Sequence, residues 1–212
     1  CEESPPDILH CFDMLIEDNQ PRCTTRKILG GGFDSMHSRN QTNSGTDKLV
    51  SEKQLYCTHS KYKNCLEAFD MGYNRVIVTD ADTIIRRDIT THPIMGISYD
   101  IAMKKTNAFP SYGYTHQHVF EEGFFIINNT AASHQLMNRV VNKLDAEKKS
   151  NEIHMDSDTL LIGNEIHTGD YEYTELPEEL KDEDCKDSSY VWSGRAGAKE
   201  TQIYLQEVNA YL

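Results

Sequence analysis

Apolar residues recur along this chain in two alternating patterns. One is the three-and-four spacing of a helix face; the other is a short continuous run bounded by glycine, asparagine or aspartate. Within the polar first 25 residues, ILHCFDMLI sets Leu9, Phe12 and Ile16 at helical spacing, with Leu15 beside them. RKILGGGF reads as a short strand ending in three glycines, which suit close approach of backbone to a ligand and equally suit a flexible turn. From Thr46 to Met71 the pattern is helical, with Leu49, Tyr56, Leu66 and Phe69 among charges and Gly72 as the expected stop. VIVT, SYDIAM and GFFIINNT read as strands. SHQLMNRVVNKLDAEKK predicts an amphipathic helix with Leu136, Val140, Val141 and Leu144 on one side. DSDTLLIGNEI predicts a second, shorter helix, and YEYTEL and SSYVW read as late strands.

Strands that alternate with helices predict an α/β fold, with a mostly parallel central sheet flanked by helices. The 212 residues carry no internal repeat and no long low-complexity linker, so the expectation is a single domain spanning 1–212, with 1–25 as a helical or irregular extension.

Composition narrows the partners. The formal net charge is −13, the wrong sign for a phosphate-backbone binder, so no nucleic-acid partner is expected. A run of about 18 apolar residues is absent, so no transmembrane segment is expected, and no charged-then-apolar leader is visible. The six cysteines include no Cys-x-x-Cys pair and match no zinc spacing. Cys57 and Cys65, eight apart in the helical region, read as small apolar residues. A reduced cytoplasm and an oxidising Golgi lumen fit equally.

The candidate chemistry lies in VIVTDADTII. Residues i and i+2 of a strand share a side, so Asp80 and Asp82 can converge on one cation. Hard carboxylate oxygens suit Mn²⁺ or Mg²⁺, and ligands of open α/β sheets sit beyond the carboxyl ends of the strands. A bound metal also lets an acidic protein hold a diphosphate. Two exposed aspartates in a turn are the plain alternative, but the pair is expected between two buried segments, VIVT and TII.

Two enzyme families start from such a strand. TDADT resembles the nucleophile motif of haloacid-dehalogenase-like phosphatases, which implies Asp80 as covalent nucleophile and Asp82 as acid/base. That strand usually opens the phosphatase domain, whereas 79 residues precede Asp80 here, and no good later acidic motif follows. The wider sequence resembles the GT-A fold of nucleotide-sugar glycosyltransferases. HSKYKNCLEAFDMGYNRVIVTDADTII is similar to the pattern of a Ser-Lys before a helix, then a strand, then Asp-x-Asp. EEGFFIINNT is similar to the acceptor-side strand, HMDSDTLL to an Asp-Gln-Asp-Ala-Leu helix start, and TGDYEYTELPEEL to the strand ending in Leu-Pro. RKILGGGFDSMHSRN resembles the first nucleotide-binding strand of the galactosyl-, mannosyl- and xylosyltransferase family of yeast Golgi and plant enzymes. These segments run in the right order from about residue 26 to 199.

The resemblance implies a metal-dependent transferase that moves a sugar from a nucleoside-diphosphate donor, with UDP as the expected nucleotide, to a carbohydrate or glycoprotein glycan acceptor, with retention at the anomeric carbon. It implies a nucleotide-sugar-binding half over 26–100 and an acceptor-side half over 101–212. Asp80 and Asp82 would hold Mn²⁺ (or Mg²⁺). Lys61, Gly31, Gly32, Phe33, Thr79, Asp80, Ala81 and Asp82 would face the donor, and Asp156 and Asp158 would be catalytic. Lys61 also fits a solvated lysine at a helix start, and one of the two later aspartates fits a helix cap. Glu121 and Glu122 are possible acceptor-side groups, and Arg195 and Lys199 could approach the diphosphate. The chain departs from the family pattern in two places: DSD replaces Asp-Gln-Asp, and YVWSGRAGAK has Trp192 where many relatives carry a metal-binding His. His154 or His167 could substitute for it, or the chain could be an inactive nucleotide-sugar-binding relative.

Overall fold

The computed structural model describes residues 25–27, 49–80, 83–106, 119–150, 157–182 and 186–193. In chain order the elements are β1 (Thr25–Lys27), β2 (Leu49–Ser51), α1 (Glu52–Asp70), β3 (Arg75–Thr79), β4 (Thr83–Ile85), β5 (Ile101–Thr106), β6 (Val119–Asn128), α2 (Ala131–Ser150), α3 (Ser157–Thr168), β7 (Tyr173–Glu175) and β8 (Val191–Ser193). Short 3₁₀ turns at Ile89–Thr91, Pro93–Gly96 and Glu178–Leu180 fill the connections.

The fold is α/β, as the alternation of patterns predicts. Its main sheet has the order β3-β6-β5-β7. Three of its four strands run in one direction, as expected, and the fourth makes the sheet mixed. β5 and β7 pair in parallel, but β6 is antiparallel to both β3 and β5. Strands β3, β5 and β7 therefore point one way, and β6 runs against them from within. The reason lies in the connection: no helical pattern separates β5 from β6, and a strand that returns without a crossover helix must pair antiparallel.

Burial on both faces explains the unbroken apolar runs. Along β6, Phe125 and Ile127 face one core cluster, while Phe124 and Ile126 face the other. Val76 and Val78 of β3 pack on the first cluster, and Ile77 packs on the second. The first cluster is roofed by α1, α2 and α3 through Tyr62, Cys65, Phe69, Leu136, Val140 and Ile162. Cys65 is a buried free thiol in this layer, as its helical setting predicts. The second cluster is closed by Ile89, Ile94, Leu176, Leu180 and Val191. Each large side chain buried in these layers contributes about 1.5–3 kcal/mol.

Local signals set the element ends. Gly72 follows α1 with φ +92, and its N–H reaches the Phe69 carbonyl at 2.9 Å, the left-handed stop that only glycine takes cheaply. Thr130 caps α2: its hydroxyl accepts from the Ser133 N–H at 3.1 Å. Two expectations shift. The helical pattern from Thr46 begins instead with β2, whose Leu49 and Val50 pair antiparallel with Lys27 and Arg26, and the helix starts only at Glu52. The late strand SSYVW leaves the main sheet and forms a two-stranded ribbon with β4, Ile84 opposite Trp192. In TII only Ile84 is buried, while Ile85 is half exposed, so the segment after the aspartates is only partly buried.

Several expectations lie outside the described residues: the N-terminal helix, the three-glycine turn with Gly31, Gly32 and Phe33, and the aromatic loop 109–118. Ala81, Asp82, His154, Asp156, Arg195 and Lys199 also lie outside them.

Candidate functional site

Asp80 stands where β3 stops. The last β3–β6 pair is Thr79 with Phe124, and the Asp80 N–H still donates to the Gly123 carbonyl at 2.8 Å. The carboxylate beyond it is half exposed. This is the carboxyl end of a sheet strand, where an α/β fold offers its ligand site.

Beside Asp80, β6 is irregular. Its register with β5 changes from Met103↔Phe125 to Lys104↔Glu121, so Glu122, Gly123 and Phe124 have no partner on β5. Bulges of this kind bend a strand and re-aim its side chains. Gly123 sits at the tightest point. A Cβ there would lie 2.7 Å from Asp80 Oδ2 and 2.9 Å from Lys181 Nζ. A bare backbone at 123 is what lets these two charged groups close over the strand.

Lys61 corrects the expectation of a residue before a helix. It lies midway along α1, with its side chain only 10% exposed. Its ammonium lies 3.2 Å from Asp158 Oδ2 and 4.0 Å from Asp80 Oδ1, and donates to the Glu122 carbonyl at 3.3 Å. One lysine thus ties the end of β3, the bulge of β6 and the first turn of α3 together. Burial acts to lower its pKa, but the charges of Asp158, Glu122 and Asp80 outweigh burial and hold it above the ordinary lysine value.

Asp158 has no exposed surface. It lies inside the first turn of α3 and faces α1, so capping does not explain it. The Tyr62 hydroxyl donates to Oδ2 at 3.2 Å, and that ring stacks on Phe125. Oδ1 takes no hydrogen bond from the described residues, and His59 Nε2 stands 3.8 Å from it. Burial pushes the Asp158 carboxyl up to about 7, with Lys61 pulling the other way. The same burial, reinforced by Asp158, raises the Tyr62 phenol well above its ordinary value.

The structure therefore brings Lys61, Asp80 and Asp158 together and sets Thr79, exposed, at the same strand end. Glu121 and Glu122 join them through the bulge. His167 does not: it is exposed in the last turn of α3, roughly 13 Å along the helix from Asp158. Sequence reasoning missed Tyr62, His59 and Lys181. His59 and Tyr62 lie within the HSKY segment, three residues apart on α1, and both reach Asp158, a spacing signal that was available. Lys181, in a charged turn, carries none.

Among the described residues no group of three or more His, Cys, Asp or Glu could hold a metal. Asp80 supplies one hard, half-exposed oxygen ligand at the strand end, a donor type that suits Mg²⁺ or Mn²⁺. A separate cavity of about 430 Å³, lined by His92, Ile94, Pro177, Glu179 and Tyr190, shares no residue with this cluster. No helix among the described residues is long and apolar enough to cross a membrane.

Comparison with known proteins gives this geometry a context. The sequence model of the nucleotide-diphospho-sugar transferase family matches residues 17–180, well over half of the chain. No curated protein sequence matches the chain. Among solved structures, the glycosyltransferase GlyE of Streptococcus pneumoniae TIGR4 is similar over 51% of this chain and 26% of its own, at 16% identity and a TM-score of 0.35. This chain thus spans about a quarter of that protein's length.

Proposed function

The chain belongs to the nucleotide-diphospho-sugar transferase family, and on that footing we propose that it moves a sugar from a UDP-linked donor to a carbohydrate or glycan acceptor, with retention at the anomeric carbon. The observation that carries this reading is the convergence of Lys61, Asp80 and buried Asp158 at the open end of β3. A strand-end carboxylate with a buried cation beside it is chemistry suited to a diphosphate. Family membership favours a transferase over a phosphatase that uses Asp80 as nucleophile.

Asp80, with Asp82, would hold the divalent cation. When bound, Mn²⁺ or Mg²⁺ acts as a Lewis acid on the diphosphate. Lys61 adds positive charge next to Asp80 and fixes Asp158. Gly31, Gly32, Phe33, Thr79 and Ala81 would line the nucleotide side. Asp156 and Asp158 would serve the sugar side, the buried Asp158 by holding Lys61 in place there. In the transfer, the bond between the anomeric carbon and the phosphate oxygen breaks and its electron pair stays on that oxygen. The acceptor hydroxyl oxygen forms the new bond, and its proton passes to the released phosphate.

A thermal-shift screen of nucleotide sugars with and without Mn²⁺ tests the reading, because a ligand that binds only the folded state raises apparent stability. A melting temperature raised by a UDP-sugar only when Mn²⁺ is present supports it. No shift with any nucleotide sugar under either condition contradicts it.

A further inference from the structure

Lys181 is a buried lysine with unspent donors. It lies one residue past the region matched by the family's sequence model, immediately after the 3₁₀ turn Glu178–Leu180. Only 7% of the residue is exposed. Its ammonium stands 3.7 Å from Glu121 Oε2, beyond hydrogen-bond distance, and donates no hydrogen bond to another described residue. An ammonium has three donors, and those of Lys181 are open to solvent or to a ligand at the strand end.

Its position is also over-determined. The Lys104 ammonium donates to the Lys181 carbonyl at 3.0 Å, and the Lys181 N–H donates to the Glu178 carbonyl at 3.1 Å. The next residue, Asp182, donates through its N–H to the Val191 carbonyl and forms a bridge with fully buried Trp192. Its carboxylate accepts from the Ser189 hydroxyl and the Lys186 N–H. This clasp holds the Lys181 backbone and leaves the ammonium pointing at the strand end. At that end, Gly123 is the residue over which Asp80 and Lys181 both close.

We propose that Lys181 is a second diphosphate-binding cation of this site, contacting a phosphate oxygen of the nucleoside-diphosphate group beside Asp80 while Lys61 supports the same carboxylate from α1. The proposal rests on the donor reading of the Asp80 site. Lys181 exchanges no proton in the reaction. It faces the charge that collects on the phosphate oxygen as the bond to the sugar breaks, where a fixed cation in a partly dry site acts most strongly.

The test is calorimetric titration of the full chain with UDP, pyrophosphate and uridine, each in the presence of Mn²⁺. Lys181→Met is expected to weaken UDP and pyrophosphate by about ten- to a hundredfold and to leave uridine unchanged, since one charge-assisted hydrogen bond is lost. Lys181→Arg restores most of the affinity. Gly123→Ala, whose Cβ would crowd both Asp80 Oδ2 and Lys181 Nζ, is expected to weaken both ligands too, and Lys181→Gln, which keeps a neutral donor in place, is expected to keep part of the affinity, so the result does not depend on Lys181→Met folding. Wild-type binding of UDP and pyrophosphate that persists undiminished in both Lys181→Met and Gly123→Ala overturns the role of Lys181 alone. Failure of the wild-type protein to bind either UDP or pyrophosphate overturns the donor reading, and the proposal with it.

Discussion

The Lys61 ammonium lies 3.2 Å from the Asp158 carboxylate, and the carboxylate has no exposed surface. Removing one partner of such a pair leaves an uncompensated buried charge, which costs about 3–5 kcal/mol. Lys61→Met is therefore expected to lose about that much stability in urea denaturation at pH 8. The double variant Lys61→Met/Asp158→Asn is expected to lose clearly less than the sum of the two single changes. Additive losses would mean that the two groups act independently.

A pH dependence follows from Asp158. Its folded-state pKa is raised from 3.8 to about 7 by burial. The folded state therefore holds a proton that the unfolded state releases in that range. The contribution of this group to stability is complete below about pH 4 and is lost as the pH rises through about 7, opposite to an ordinary salt-bridged aspartate. Asp158→Asn removes this component. The stability difference between the wild-type protein and the variant, measured by urea denaturation from pH 4 to pH 8, is expected to change across that window and to level off above it. A difference that stays constant with pH contradicts the burial argument.

Phe125 joins the sheet to the helical layer. It is fully buried and stacks on Tyr62, the donor to Asp158. Phe125→Ala opens a cavity in that layer and is expected to cost about 3–5 kcal/mol. Because it also frees Tyr62, the variant is expected to lose nucleotide affinity even at temperatures where it stays folded. Calorimetric titration with UDP and Mn²⁺ at low temperature separates the two effects. Unchanged affinity would confine Phe125 to packing.

The fold was legible wherever the apolar pattern was long. α2 emerged nearly whole because Leu136, Val140 and Leu144 form one continuous buried stripe. Strands β3 and β6 were legible as unbroken runs because both faces of the sheet are covered. The reversed direction of β6 was not legible, because pattern reports burial and not chain direction, although the missing crossover helix before it is a usable clue. β2 was hidden in a helical pattern because Leu49 and Val50 take their strand from pairing with β1, a contact remote in sequence. At the site, Asp80, Lys61 and Asp158 stood out because each falls at a recognisable element or motif. Lys181 did not. Its burial arises from a clasp formed by Asp182, Ser189 and Trp192, which no local pattern announces.

The central claim is that Asp80 ends β3 at a donor diphosphate. Hydrolysis of UDP-sugars with Mn²⁺, followed as released UDP, tests it most directly when wild-type protein is compared with Asp80→Asn. The account predicts slow hydrolysis of at least one UDP-sugar by the wild-type protein and a loss of about a hundredfold or more in the variant, the scale expected when a group that stabilises the leaving charge is removed. Equal hydrolysis by the two proteins, or an aspartyl-phosphate trapped on Asp80, would contradict it.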